Sequence, residues 1–452
     1  MELVSPSELR RWDRPGPRYT SYPTVPVWGA LSRAETDAAL GRAREPAQVY
    51  LHVPFCAEQC TFCGCNMVVA GRRPIGERYI ALVERQLHEL PLPAERLAVQ
   101  RIHWGGGTPT WFTPEEMVRL HQLLLTRFEP IEGAELSIEA DPQITTRAHL
   151  EALAEQGYNR LSLGVQSFDD GVLTAVNRPQ WGERIADLLA MARELGWWGL
   201  NLDLMYGLPT QTEATFRATL QRTIALRPDR LAVFGYAHVP WLHNHMKRID
   251  EATLPGVDLR ATQYLMAQRA FAEAGYDPLG LDHFAVAEDQ LAVAQRSRGL
   301  HRNFMGYTTL ADVDMIGLGM SAISEVGGVY WQAETKLATW MQRVEAGEST
   351  VKRGWVMSDE DRLRRHVVNA IMCNLHLDIP AVERRFGVDF AEHFGQALLE
   401  LAPLEADGFV VRDAEHIRVT EKGRVLVRLA AMPFDAYLKK KQDGAPRFSR
   451  TI

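Results

Sequence analysis

The stretch YLHVPFCAEQCTFCGCN (50–66) runs from apolar, β-branched residues straight into four of the chain's five cysteines. Its opening, VYLHVPF (49–55), has the composition of a buried strand. Its close spaces Cys56, Cys60 and Cys63 as C-x3-C-x2-C, with Cys65 two residues further on. A disulfide staple, a zinc knot and an iron–sulfur cluster compete as readings. Five cysteines among 452 residues, behind an N-terminus (MELVSPSELRRWDRPGP) without an apolar export segment, do not form a disulfide framework. Structural zinc draws its ligands as two separated pairs, and no second Cys or His pair stands at such spacing. Ferredoxin-type clusters use four thiolates at other spacings. Three thiolates on one loop can hold three irons of a cubane and leave the fourth open, which makes a site for chemistry. On the residues alone, zinc or buried thiols remain the alternatives.

Outward from this loop the chain repeats one grammar. Strand-like runs recur at RIHWGGG (101–107), ELSIEAD (135–141), RLSLGVQ (160–166), GLNLDLMYG (199–207) and RLAVFGYA (230–237). Helical patterns such as TPEEMVRLHQLLLTRF (113–128) and TRAHLEALAEQGY (146–158) lie between them, the second ending on a Gly suited to a helix C-terminus. Alternation of this kind predicts a parallel sheet with right-handed crossovers. Six units predict an α/β chain built on a partial (β/α)6 barrel over 45–349, preceded by an extension at 1–44. Cysteines, GGGTPT, EADP, GVQ, DLMYG and YAH follow the six strands in turn, so the polar residues gather on the edge where parallel sheets bind ligands.

Past residue 350 the grammar changes. SDEDRLRRHVVNAIMCNLHL (358–377) reads as a helix N-capped by Ser358, with acidic residues in its first turn. A second helix near 391–408, a hairpin over 409–420 and a final helix after EKG make 350–452 a mainly helical, winged-helix-like unit. From Leu401 to Ala430 five basic residues stand against five acidic ones, a poor phosphate-binding face, so the unit reads as a cap on the barrel. The net charge of −7 likewise points away from nucleic acid and anionic membranes. No apolar run is long enough to span a bilayer. Cys373, on an apolar helix pattern, reads as core.

C-x3-C-x2-C after the first strand of such a barrel resembles the radical S-adenosylmethionine (SAM) superfamily. PGPRYTSYPT (15–24), HWGGGTPT (103–110), LSLGVQSF (161–168), NLDLMYGLPTQT (201–212), FGYAHVP (234–240), HRNFMGYTT (301–309), GLGMSAIS (317–324) and FSRTI (448–452) further resemble the oxygen-independent coproporphyrinogen III oxidase family, over nearly the whole chain. The resemblance implies a [4Fe-4S] cluster on Cys56, Cys60 and Cys63, and two SAM molecules per site. It assigns Tyr50, Gly106, Glu139 and the Ile323 backbone to the cluster-bound SAM. Phe62, Gly107, Thr108, Gln166, Arg178, Asp203 and Ala237 fall to the second. Cys65, Tyr50 and Glu139 are the candidate catalytic residues. The side-chain types suit these tasks: Glu139 and Asp203 accept ribose or amino hydrogens, Arg178 pairs with a carboxylate, and Phe62 offers a ring face.

The implied reaction is oxidative decarboxylation of two propionates of coproporphyrinogen III by a 5′-deoxyadenosyl radical, served by an electron-donating reductant and an electron acceptor in a cytoplasmic monomer. Another two-SAM radical enzyme acting on heme (methyltransferase or ring-opening), or a heme-trafficking relative, is the alternative. A substrate with four carboxylates calls for cations, and Arg18, Arg302, Arg447 and Arg450 are the candidates. One position departs from the family pattern: Met305 stands where Gln usually follows RNF.

Overall fold

The computed structural model describes residues 4–71, 74–178, 182–438, 448 and 450. Six parallel strands form its centre: β1 (Ala47–Val53), β2 (Leu97–Gly106), β3 (Phe128–Ala140), β4 (Arg160–Gln166), β5 (Gly199–Tyr206) and β6 (Arg230–Gly235). They pair in chain order, as the six-unit reading predicts. β1 buries all but Tyr50, the pattern of a strand covered on both faces. The covering helices bury residues at three- and four-residue spacing: α1 (Ile75–His88) buries Tyr79, Ile80, Val83 and Leu87, and α2 (Pro114–Leu125) buries Met117, Leu120 and Leu124. Thr113 caps α2 through the Glu116 N–H, with Glu116 reaching back to the Thr113 N–H at 2.8 Å. Helices α3 (Arg147–Glu155), α4 (Gly182–Glu194), α5 (Glu213–Leu226) and α6 (Val257–Glu273) follow β3 to β6.

The sheet extends beyond those six strands. β7 (Met315–Leu318) joins β1 in parallel, with Tyr50 opposite Gly317. Ile323–Val326, Val329–Ala333 and Val351–Val356 continue antiparallel from β7, while His283–Val286 and Tyr276–Leu279 continue from β6. The result is an open twelve-stranded sheet. Beneath the first strand's exit, Phe55 packs against Trp111 at 4.5 Å and Tyr79 at 5.3 Å between ring centroids, which anchors the backbone where the cysteine loop begins.

In the C-terminal unit, α7 (Asp359–Asn374) is N-capped by Ser358, whose hydroxyl accepts the Asp361 N–H at 3.1 Å. Cys373 on this helix is fully buried. Helices Ile379–Phe386 and Gly395–Ala406 precede the hairpin Val410–Arg412/His416–Val419. Strand His376–Asp378 adds to that hairpin, completing a winged-helix arrangement of three strands against three helices. After the hairpin a short turn, Gly423–Leu426, runs into Val427–Ala431 and then Met432–Phe434. The N-terminal extension is strapped to this unit: Trp12 Nε1 donates to Asp407 at 2.9 Å, the Tyr19 hydroxyl donates to Asp435 at 3.1 Å, and Pro15 bridges to Arg450. Among the described residues no helix is long and apolar enough to cross a membrane.

Candidate active site

The cysteine loop leaves β1 at Val53 and closes on itself where Phe55–Cys56 pairs in parallel with Val68–Val69. Between these ends it is fastened from four sides. The Thr61 N–H donates to Val176 O at 3.0 Å and Asn177 Nδ2 to Gln59 O at 3.0 Å. His245 Nε2 donates to Cys63 O at 2.7 Å, and His52 Nε2 to Asn66 O at 2.8 Å. Phe62 packs into an apolar cluster with Val172, Val176, Leu208 and Tyr236, which sets it beside the YAH segment holding Ala237. All four cysteines of the loop are free thiols. Cys56 Sγ lies 3.4 Å from the Thr108 hydroxyl, Cys60 Sγ accepts Arg178 Nη1 at 3.4 Å, and Cys63 Sγ accepts the Cys65 N–H at 3.4 Å.

Each glycine of the triplet after β2 has its own reason to lack a side chain. A Cβ on Gly105 would stand 2.8 Å from the Glu139 carboxylate, and one on Gly106 would meet the His52 ring at 2.7 Å. Gly106 also takes φ +119°. At Gly107 the obstacle is backbone, Phe55 O at 2.7 Å. There the Gly107 and Thr108 N–H groups donate to Val53 O and Phe55 O at 2.7 and 2.8 Å. The sequence reading expects these glycines to admit a ligand. What the structure shows them admitting is the protein's own Glu139, His52 and cysteine-loop backbone.

Tyr50, Glu139, Gln166 and Asp203 line the same rim. The Tyr50 hydroxyl donates to His52 Nδ1 at 3.0 Å, and its ring stacks on His103 at 5.9 Å. Glu139 accepts the Gly106 N–H at 3.0 Å and lies 3.5 Å from His103 Nε2. Burial pushes the Glu139 carboxyl up, but His103, the Gly106 N–H and His52 outweigh it and hold the group below its ordinary value. Gln166 sits at a register shift at the end of β4, in the left-handed region at φ +66°, a conformation that costs a non-glycine residue energy and gathers at functional sites. Asp203 accepts Asn201 Nδ2 at 2.8 Å and the Ser162 hydroxyl at 3.3 Å. Burial, and then the charge of Glu139, raise its carboxyl to about 7.

Arg178 is buried, where residue type alone suggests a solvated surface group. Its Nη2 donates to Gly164 O at 2.7 Å and lies 3.3 Å from Asp141, so its carboxylate partner here is the protein's own. Ile323 stands at the other flank: its carbonyl oxygen is 2.5 Å from where a Gly317 Cβ would be, beside Tyr50 across the β1–β7 pair. Its side chain packs with Phe304, Trp28 and Tyr330, away from the cluster that holds Phe62. Of the candidate cations, Arg302 is buried, Arg18 is partly exposed and paired with Asp282, Arg450 is exposed and paired with Asp13, and Arg447 falls outside the described residues. Met305 tops the hairpin 301–308, its N–H donating to Asn303 Oδ1 at 2.9 Å. His52, His103, Asp141 and His245 are the participants that sequence reading missed. His52 and His103 lie inside quoted motifs, but a lone histidine in a strand carries no signal.

The donor set fits an iron–sulfur cluster. Three thiols of one short loop stand free, each with its own neighbour in Thr108, Arg178 or the Cys65 N–H, and a four-iron cluster places each thiolate on a separate iron. Burial pushes the Cys56 thiol up to about 12 and raises Cys60 against the pull of Arg178. Buried thiols of this kind ionise when they bind a soft metal.

The radical SAM superfamily pattern matches residues 50–223, and the HemN C-terminal domain pattern matches 357–426. The oxygen-independent coproporphyrinogen III oxidase of Salmonella typhimurium is 42% identical over 98% of this chain and 97% of its own. That of Escherichia coli (strain K12) is 41% identical over the same shares. The solved structure of coproporphyrinogen III oxidase (HemN) from Escherichia coli, described as a radical SAM enzyme, superposes with a TM-score of 0.91 at 40% identity, covering 97% of this chain and all of that one. With thiol loop, glycine triplet and capping unit all matched end to end, the chain belongs to the oxygen-independent coproporphyrinogen III oxidase family of radical SAM enzymes.

Proposed function

We propose that this protein converts coproporphyrinogen III to protoporphyrinogen IX without oxygen, by oxidative decarboxylation of two propionates, in heme biosynthesis. The observation that carries the reading is the three-thiol loop on the rim of a chain that matches the Escherichia coli enzyme over its full length, segments outside the barrel included. Cys56, Cys60 and Cys63 would hold a [4Fe-4S] cluster, which would supply the electron for reductive cleavage of SAM and so the means to take a hydrogen atom from an unactivated C–H. Each propionate then loses a β-hydrogen atom, CO2 and one electron, the last to an acceptor, and leaves a vinyl group.

The chain's own residues bind, orient and exclude water. The Thr108 hydroxyl and Arg178 guanidinium stand against Cys56 and Cys60 as hydrogen-bond partners for thiolates. Glu139, kept ionised by His103, suits the amino group of a cluster-bound SAM, with Tyr50, Gly106 and the Ile323 carbonyl around it. A second SAM belongs beside Phe62, Gly107, Thr108, Gln166, Arg178, Asp203 and Ala237. Near neutral pH the raised Asp203 carboxyl can hold a proton at Oδ, so it can donate to a ribose hydroxyl as well as accept from one. Cys65, exposed and hydrogen-bonded to Cys63 through both its N–H and its side chain, is left to act in turnover. We place the units at 1–44, 45–349 and 350–452, although the sheet pairing of Val351–Val356 carries across the second boundary. The same reading makes the protein a cytoplasmic monomer that uses an electron donor and an electron acceptor.

Anaerobic incubation of the reconstituted protein with SAM, a reductant and coproporphyrinogen III tests the reaction. Protoporphyrinogen IX, two CO2 per ring system and 5′-deoxyadenosine are the expected products. Methylated tetrapyrrole or S-adenosylhomocysteine as the main product would overturn it. Cys56→Ala, Cys60→Ala and Cys63→Ala should each lose the iron, while Cys65→Ala should keep it and lose turnover. Iron loss in Cys65→Ala alone would refute the ligand set.

A further inference from the structure

Three arginines from three separate parts of the chain meet beside the barrel mouth: Arg18 of the N-terminal extension, Arg302 of the 301–308 hairpin and Arg428 of the C-terminal unit. Arg302 and Arg428 are 6% and 5% exposed, and the Nε of each is buried without a hydrogen-bond partner. Among the described residues neither is ion-paired. Arg302 lies over the Tyr307 ring, 4.8 Å from its centroid, and reaches that hydroxyl with Nη1 at 3.4 Å. Arg428 gives Nη1 to Gly16 O at 3.2 Å and Nη2 to Arg450 O at 3.0 Å. Arg18 pairs with Asp282, which also holds His283 Nδ1 at 2.7 Å. Asp282 is thus committed to Arg18 and His283, while Asp13, paired with Arg450, is the carboxylate whose charge reaches Arg428. Burial, and next the charges of Arg302 and Arg428, push Arg18 down to about 9. Arg18 and Arg428 line a cleft together with Asp282, Tyr206, Gly235 and Tyr264, and Arg302, outside that lining, acts on both through its charge. The cleft opens at the C-terminal ends of β5 and β6, on the rim that carries the thiol loop.

Unpaired charges buried together are costly, and a planar guanidinium with a free N–H is built to receive a carboxylate. We propose that this pocket receives one of the propionates that the reaction leaves in place. The assignment rests on the function proposed above. The choice of a retained propionate follows from charge. Decarboxylation turns an anion into neutral CO2, so cations paired with the reacting group stabilise the starting state and slow its loss. Paired instead with a group that stays, the same cations fix the macrocycle while a reacting propionate faces the cysteine side. The same anchor then serves both rounds.

The test uses the full-length, cluster-loaded protein under anaerobic conditions. Arg302→Gln, Arg302→Lys and Arg428→Gln are compared with wild type for coproporphyrinogen III KM, kcat and product distribution. Iron content and melting temperature are measured alongside. Arg302→Gln should raise KM about tenfold or more, with KM rising further than kcat falls, and Arg302→Lys should recover part of the loss. Both decarboxylations should slow together. A KM within about twofold of wild type, or accumulation of the monovinyl tricarboxylate, would overturn the assignment. Arg428→Gln also loosens carbonyl contacts to the chain ends. If it unfolds, Arg302→Gln decides, since among the described residues that side chain hydrogen-bonds only Tyr307. A wild-type protein that leaves coproporphyrinogen III unconverted brings down the functional reading and the pocket with it. Wild-type turnover with unchanged variant KM brings down the pocket alone.

Discussion

Asp203 carries a stability cost that belongs to its task. Its folded value of about 7 lies above the ordinary 3.8, so between those values the folded protein keeps a proton the unfolded chain has released. Stability of the ligand-free protein therefore falls as pH rises through that window. Asp203→Asn keeps an oxygen for Asn201 and puts an N–H where the Ser162 hydroxyl had an acceptor, so that hydroxyl must turn. The variant should gain about 1–3 kcal/mol at pH 8 and little near pH 4, read by denaturant titration, while SAM affinity falls. A gain equal at both pH values would show that the carboxyl is not desolvated in the folded protein. Met305 makes the opposite case. Its backbone N–H donates to Asn303, among the described residues its side chain makes no hydrogen bond, and an unbranched thioether fills much the same space as glutamine. Met305→Gln should change apparent SAM and substrate affinities by less than about threefold. A gain beyond about tenfold, the worth of one good hydrogen bond, would show that the site lacks a contact it needs.

The turn after β2 shows how an element of three residues holds a site. Gly107→Ala drives a methyl into backbone, where nothing can swing aside, and should displace the strand that carries Cys56. Loss of iron and about 2–4 kcal/mol of stability are expected, measured by metal analysis and unfolding. Gly105→Ala meets only the Glu139 carboxylate, which can rotate. It should keep its iron and lose SAM affinity, and equal iron loss in the two variants would contradict this ordering. That turn was legible in the sequence, as were the six parallel strands, because each β-branched run ends on glycine or polar residues. β7 and its antiparallel neighbours were not. Four-residue strands such as Met315–Leu318 carry no period of their own and are set by the strands they pair with. The reading of 358–377 as one helix overran for a related reason. Leu375 turns left-handed at φ +56°, which no propensity announces, and frees His376–Asp378 to join the hairpin. Within the site, thiol spacing marked out the cysteine loop. Arg178 and His245 reach the loop only through tertiary folding, and single residues have no spacing to read.

At the scale of the whole molecule, the two chain ends hold each other. Asp435 is buried and accepts the Tyr19 hydroxyl, and Tyr22 accepts the Ala436 N–H at 3.1 Å. Tyr19→Phe leaves Asp435 short of a donor and should cost about 1–3 kcal/mol, with the N-terminal extension becoming sensitive to protease at native conditions. Unchanged stability and protection would mean that the extension is held by other contacts. The bridge from Pro15 to Arg450 sets an order on the ribosome as well. Chains emerge N-terminus first, so a barrel can close, with its thiols ready for iron, while Arg18 still waits for Arg428 to be made. On the ligand set and the pocket proposed above, a chain terminated before Arg428 would still take up iron and would bind its substrate weakly.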